Sequence, residues 1–98
     1  MSIDSPANAE AIKTWHTFIK NDKRTFNNPL EAHVIGFNMW VKAVEKAGST
    51  DPTAVQKAII GVEVPNLTGG ISTMLSNHHI SKPVLIGEIQ ANGQFETV

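Results

Sequence analysis

The stretch "SNHHISKPVLIGEIQANGQFETV", residues 76–98, is where the chain changes its period. Residues 84–90 are rich in β-branched side chains, and Asn92-Gly93 separates them from a second extended run, the strongest short-range signal for a hairpin. This predicts a turn over 76–83, a strand over 84–90 and a strand over 94–98. A two-stranded ribbon is marginal by itself in water, so it needs a sheet or helices to lie against.

Upstream the period is helical. Ser5-Pro6, Asn28-Pro29 and Asp51-Pro52 each place a side-chain oxygen before a proline. That is the chemistry of a helix start: the oxygen accepts an orphan N–H, and proline has none to leave unpaired. Three helices are predicted, at about 6–20, 29–47 and 52–60. In the first, Ile12, Trp15 and Ile19 recur at helical spacing beside Ala11 and Phe18. In the second, Asn28 and Glu31 have the spacing of a capping box, with the carboxylate near the positive helix end. Leu30, Val34, Phe37, Val41 and Val44 form one apolar stripe, Ile35, Met39 and Ala43 another, and Trp40 lies between. A helix apolar around so much of its girth is predicted to be covered on more than one side. The third is short, with Val55, Ala58 and Ile59 inward. The 23-residue spacing of the caps is not a repeat, because nothing else in the three units matches. "VEVPNLTGG", with Pro65 and Gly69-Gly70, reads as a connecting loop, and residues 71–75 as a short strand. The fold class is therefore α/β: three helices followed by a β-ribbon.

Ninety-eight residues make at most one domain. A net charge of −1 and an isoelectric point near 6.4 give no basic footprint for nucleic acid or an anionic membrane. The absence of cysteine excludes disulfides, thiolate catalysis and Cys-ligated zinc. No apolar run approaches membrane length.

His78-His79 is the sharpest constellation. As a metal site, joined by His16 or His33, it would offer neutral imidazole nitrogens. Adjacent residues point in divergent directions, however, and no His-x-x-x-His spacing exists. A hydrogen-bonded turn built by Ser76, Asn77 and Ser81 is the simpler expectation, with Pro83 setting the exit into the strand. No metal and no cofactor are predicted. Glu31 and His33 do not share a helix face, so they make no proton-transfer pair. Gly69-Gly70 lacks the Lys-Ser/Thr of a phosphate loop. Trp15 and Trp40 read as core, Glu88 as an edge residue, and the chain as no enzyme.

The order "SPANAEAIKTWHTFI", "NNPLEAHVIGFNMWVKAVEKAGSTDPTAVQKAIIG" and "SNHHISKPVLIGEIQANGQFETV" resembles the C-terminal region of the substrate-binding proteins of urea and short-chain-amide ABC transporters, which are type I periplasmic binding proteins. The most specific parts are "GFNMWVKAVEKAGSTD" and the run from Asn77 to Glu96. The resemblance implies two Rossmann-like lobes with the ligand in the cleft between them. Residues 1–98 are then a single incomplete domain of a longer protein, with an export signal far upstream and a periplasmic location. It also implies capture of a small polar amide or urea for an ABC permease. Helix one would belong to the second lobe, helices two and three would pack on the first, and the ribbon would pair with strands lying upstream. The start of helix two passes the cleft in such proteins, which nominates Glu31, His33 and Val34 as ligand-binding; relatives often carry an aromatic at the position of Val34. No metal role carries over to the "NHH" turn.

Two alternatives remain: an amide-sensing regulator of the same fold, and a stand-alone α+β interaction module that uses Trp15, Phe18 and Trp40. A fragment is expected to expose its helix stripes and ribbon edge and hence to form homo-oligomers.

Overall fold

Each helix begins at a side-chain cap. In a computed structural model that describes residues 4–98, Ser5 Oγ accepts from the Asn8 amide at 3.1 Å and starts α1, Pro6–Ile19. Asp51 Oδ2 accepts from the Ala54 amide at 3.1 Å and starts α3, Pro52–Ala58. The middle helix, α2, spans Asn28–Ala47, and its cap is Asn27, whose Oδ1 accepts from the Leu30 amide at 2.9 Å. This corrects the expected register by one residue. Asn27 and Asn28 are both acceptors and either would leave Pro29 in the first turn, where its missing N–H costs nothing; the Asn28 side chain is instead taken up by the Lys82 ammonium. Glu31 is thereby freed from the capping box. α2 ends at Gly48, which takes a left-handed φ of 66° and donates its amide to Val44 O at 2.8 Å.

Four short strands follow: β1 Glu63–Pro65, β2 Ile71–Thr73, β3 Gly87–Ile89 and β4 Phe95–Thr97. They form two antiparallel two-stranded sheets, β1–β2 and β3–β4. The mixed α/β character holds, but β1 corrects the loop expected over 62–70. Pro65 ends its strand opposite Ile71, where no ladder donor is required of it, and the alternation of Glu63, buried Val64 and Pro65 is that of a half-buried strand. The strand expected over 84–90 shrinks to Gly87–Ile89. With Gly87 opposite Thr97 and Ile89 opposite Phe95, residues 84–86 lead into the ladder as a strap, and Ile86 O accepts from the Val98 amide at 3.0 Å. The turn at Asn92-Gly93 is as its composition requires. Gly93 has φ 79° and donates to Gln90 O, and Gln94 then pairs back to Gln90, a three-residue loop with a left-handed last position.

The core is small. Ile35 and Met39 of α2 meet Val62 and Val64, with Ile59, Met74 and Ile80 packed around them. Glu31, Ile35, Met39 and Ala43 form the buried line of α2, four residues apart. The other stripe is covered only in part: Leu30, Val41 and Val44 are half-buried, while Val34 and Phe37 are exposed, as is Trp40, and the Phe37 and Trp40 rings stack on each other at 6.3 Å. Trp40 is therefore not a core residue, whereas Trp15 is half-buried, edge-on to Phe26. The surface is correspondingly large. A folded chain of this mass has about 5,500 Å² of accessible surface, and this one has 6955 Å². Its radius of gyration, 15.5 Å, also exceeds the roughly 12.6 Å of a compact domain of this length.

Candidate functional site

Among the described residues five polar ones, Ser5, Asn8, Glu31, Asn66 and Ser72, are buried beside few buried apolar ones. Most of them serve the turn between β1 and β2. Asn66 Oδ1 accepts from the amides of Thr68 and Gly70 and from the Thr68 hydroxyl, while its Nδ2 donates to Ser72 Oγ at 3.2 Å. The Leu67 peptide is gripped from both sides. Ser5 Oγ donates to its carbonyl at 2.6 Å, and its amide donates to Glu31 Oε1 at 3.4 Å. One turn thus holds together the starts of α1 and α2.

The other oxygen of Glu31 faces a cation. Lys82 Nζ lies 3.5 Å from Oε2 and also donates to Asn28 Oδ1. Glu31 is 1% exposed, so its charge depends on that ammonium and the Leu67 amide. Lys82 leads into the strap that carries the β3–β4 ribbon. Between this strap and ribbon on one side and the start of α2 on the other lies a cleft of about 560 Å³. Its first wall is Thr25, Phe26, Asn27, Asn28 and Glu31, with Thr68 of the turn beside them. Its second wall comes from Lys82 to Leu85 and from the ribbon, including Gln94, Phe95 and Thr97. Phe95 lies across Gly87, where an added Cβ would meet its Cβ at 3.1 Å, so a side chain at 87 would crowd Phe95. Charge, amide and hydroxyl groups converge with two aromatic rings, a lining suited to a small ligand with polar and apolar edges.

Of the three nominated residues, Glu31 lines this cleft; His33 and Val34 are exposed on α2 and do not. The sequence nominates none of Lys82, Asn28, Phe26 and Phe95 as a cleft residue, Asn28 being read there as a helix cap. The weak signal for them was the "FNNP" cap region and the Lys-Pro pair before the ribbon. His78 and His79 are exposed in a tight turn. His78 is left-handed, with φ 62°, its amide donates to Leu75 O, and the His79 amide donates to Asn77 Oδ1 at 3.1 Å. His16 Nε2 lies 2.9 Å from Arg24 O. Among the described residues no three His, Asp or Glu side chains come together to hold a metal.

The sequence profile of the family described as periplasmic binding protein domain matches residues 1–98. Limonene hydroxylase of Geobacillus stearothermophilus is 28% identical over 97 residues, covering 99% of this chain and 18% of its own length. The chain spans less than a fifth of that relative, and the activity in its name is a statement about the relative.

Proposed function

The chain belongs to the periplasmic binding protein domain family, and from this premise we propose that it is the C-terminal segment of a solute-binding protein that captures urea or a short-chain amide for ABC-type import. The observation that carries the reading is the cleft at the start of α2, where Glu31, Lys82 and Asn28 stand beside Phe26 and Phe95. Its volume, about 560 Å³, falls within the usual range of small-molecule sites, roughly 300–1,000 Å³. A neutral amide offers N–H donors and a carbonyl acceptor, which Glu31 or Asn28 and Lys82 respectively can satisfy. The role is capture without chemistry: ligand is held between two lobes, closure buries it, and a permease reads the closed form in an extracytoplasmic compartment.

The excess surface supports the segment reading. Val34, Phe37 and Trp40 on α2, Phe18 on α1 and Val84, Ile86 and Ile89 near the ribbon are apolar and exposed, as expected of faces that the remainder of a two-lobed protein covers. The same surfaces would drive self-association of the 98-residue chain in isolation. A sensor built on this fold would use the same cleft and pass closure to a regulator.

Calorimetric titration tests both parts. A protein carrying this segment with its upstream lobe is expected to bind urea or acetamide at one site, and the 98-residue chain by itself to show no saturable site at millimolar ligand. Absence of heat with both ligands on the longer protein refutes the amide class. Saturation on the isolated chain refutes the need for a second lobe.

A further inference from the structure

One face of the ribbon has a gap where a side chain would stand. Gly87 pairs with Thr97 and Ile89 with Phe95, so positions 87, 95 and 97 share a face of the two-stranded sheet. Gly87, Phe95 and Thr97 all line the cleft, which identifies that face as the one turned toward the start of α2. The gap is already filled. A Cβ built on Gly87 would meet Phe95 Cβ at 3.1 Å, Cδ1 at 3.4 Å and Cγ at 3.5 Å, so Phe95 occupies the volume that a side chain at 87 needs. Glycine is required here for space and not for conformation, because Gly87 does not take the left-handed φ that Gly93 has. A strand glycine of this kind marks a place where another group approaches the backbone closely.

On the reading of the cleft as the solute site, we propose that Gly87 is its specificity-determining position: the missing side chain is the seat of Phe95, and the room this leaves on the ribbon wall admits the hydrocarbon part of an amide larger than acetamide. Volume decides this, with any further partner of the ring in place. An alanine methyl at 87 and Phe95 cannot share the seat at their present spacing, so a carbon is added to the cleft face and either Phe95 or the strand spacing must adjust to it. The amide end of the solute is met by Glu31, Asn28 and Lys82, and its hydrocarbon end by Phe95, Val84 and Leu85. Loss of space at 87 therefore penalises the hydrocarbon and spares the amide group, which amounts to selection by chain length.

Two measurements on a protein that carries this segment with its upstream lobe test the assignment. In the first, acetamide, propionamide and butyramide are titrated calorimetrically. The parent is expected to bind all three, and Gly87→Ala to lose about tenfold more affinity for butyramide than for acetamide, the penalty of one misplaced methylene in an apolar pocket. Equal changes for the two amides overturn the specificity role. The second measurement needs no ligand. Alanine in place of a strand glycine ordinarily gains stability by restricting the unfolded chain. Here Gly87→Ala is expected to lower the melting temperature of the parent, and to raise it or leave it unchanged in a Phe95→Ala background. Melting shifts that add across the two positions overturn the seat. Should Gly87→Ala fail to fold, Gly87→Ala/Phe95→Ala is expected to fold, and its failure overturns the seat as well. A parent that binds none of the three amides refutes the solute assignment, while the melting comparison still decides whether Phe95 occupies the space at Gly87.

Discussion

Replacing Lys82 by Met is expected to destabilise the protein more than replacing its partner Glu31 by Gln, although both remove the same ion pair. At 3.5 Å two unit charges attract by about 5 kcal/mol at an effective dielectric constant of 20. Desolvation offsets most of this, so the intact pair contributes little beyond a well-packed apolar replacement. Single removals differ because the partners differ in burial, 16% exposure for the Lys82 side chain against 1% for that of Glu31. Losing the ammonium leaves a buried carboxylate with one long bond from the Leu67 amide, at a cost of about 3 kcal/mol, the low end for breaking a buried pair. Losing the carboxylate charge leaves an ammonium that keeps Asn28 and can extend its stem into solvent, a cost of about 1 kcal/mol. The double variant Glu31→Gln/Lys82→Met should then be more stable than Lys82→Met alone, with a coupling of about 2 kcal/mol. Denaturant midpoints at unchanged slope measure all four corners of the cycle. Equal costs for the two single variants, or a double variant at their sum, would show that the burial of Glu31 does not govern the site.

Two further predictions concern what the cleft is built on. Met39 is fully buried at the centre of the small core, so Met39→Ala should cost about 2–5 kcal/mol, read as a lowered melting temperature. Asn66→Ala removes the acceptor for the amides of Gly70 and Thr68 and the donor to Ser72; it should cost about 2–3 kcal/mol and raise amide exchange at Thr68 and Gly70, and unchanged exchange there would show that the turn does not depend on this side chain.

What was legible in the chain was whatever depends on neighbours a few residues apart. Ser5 and Asp51 announce helix starts because a cap is a contact over three residues, and Asn92-Gly93 announces a hairpin because only a residue that tolerates positive φ closes it. The Asn27–Asn28 pair shows where local logic ends. Either side chain can cap, and the contact that separates them is Lys82 on Asn28, 54 positions away in sequence. β1 was hidden for a related reason. Pro65 and the paired glycines punctuate a loop in isolation, and only the partner strand at Ile71–Thr73 makes Glu63–Pro65 a strand.

The site follows the same division. Composition and pattern determined that the chain is mixed α/β, has no cysteine chemistry and offers Glu31 near a helix start. The tertiary structure decided which stripe of α2 is buried, and thereby that Glu31 lies in the same line as Ile35 and Met39 and needs an internal cation. It also decided that the cation is Lys82 and that Phe26 and Phe95 face one cleft from opposite walls. A helix apolar on two stripes has no local preference between them, because burial is set by the element that arrives to cover one side. Here that element is the β1–β2 hairpin with Val62 and Val64.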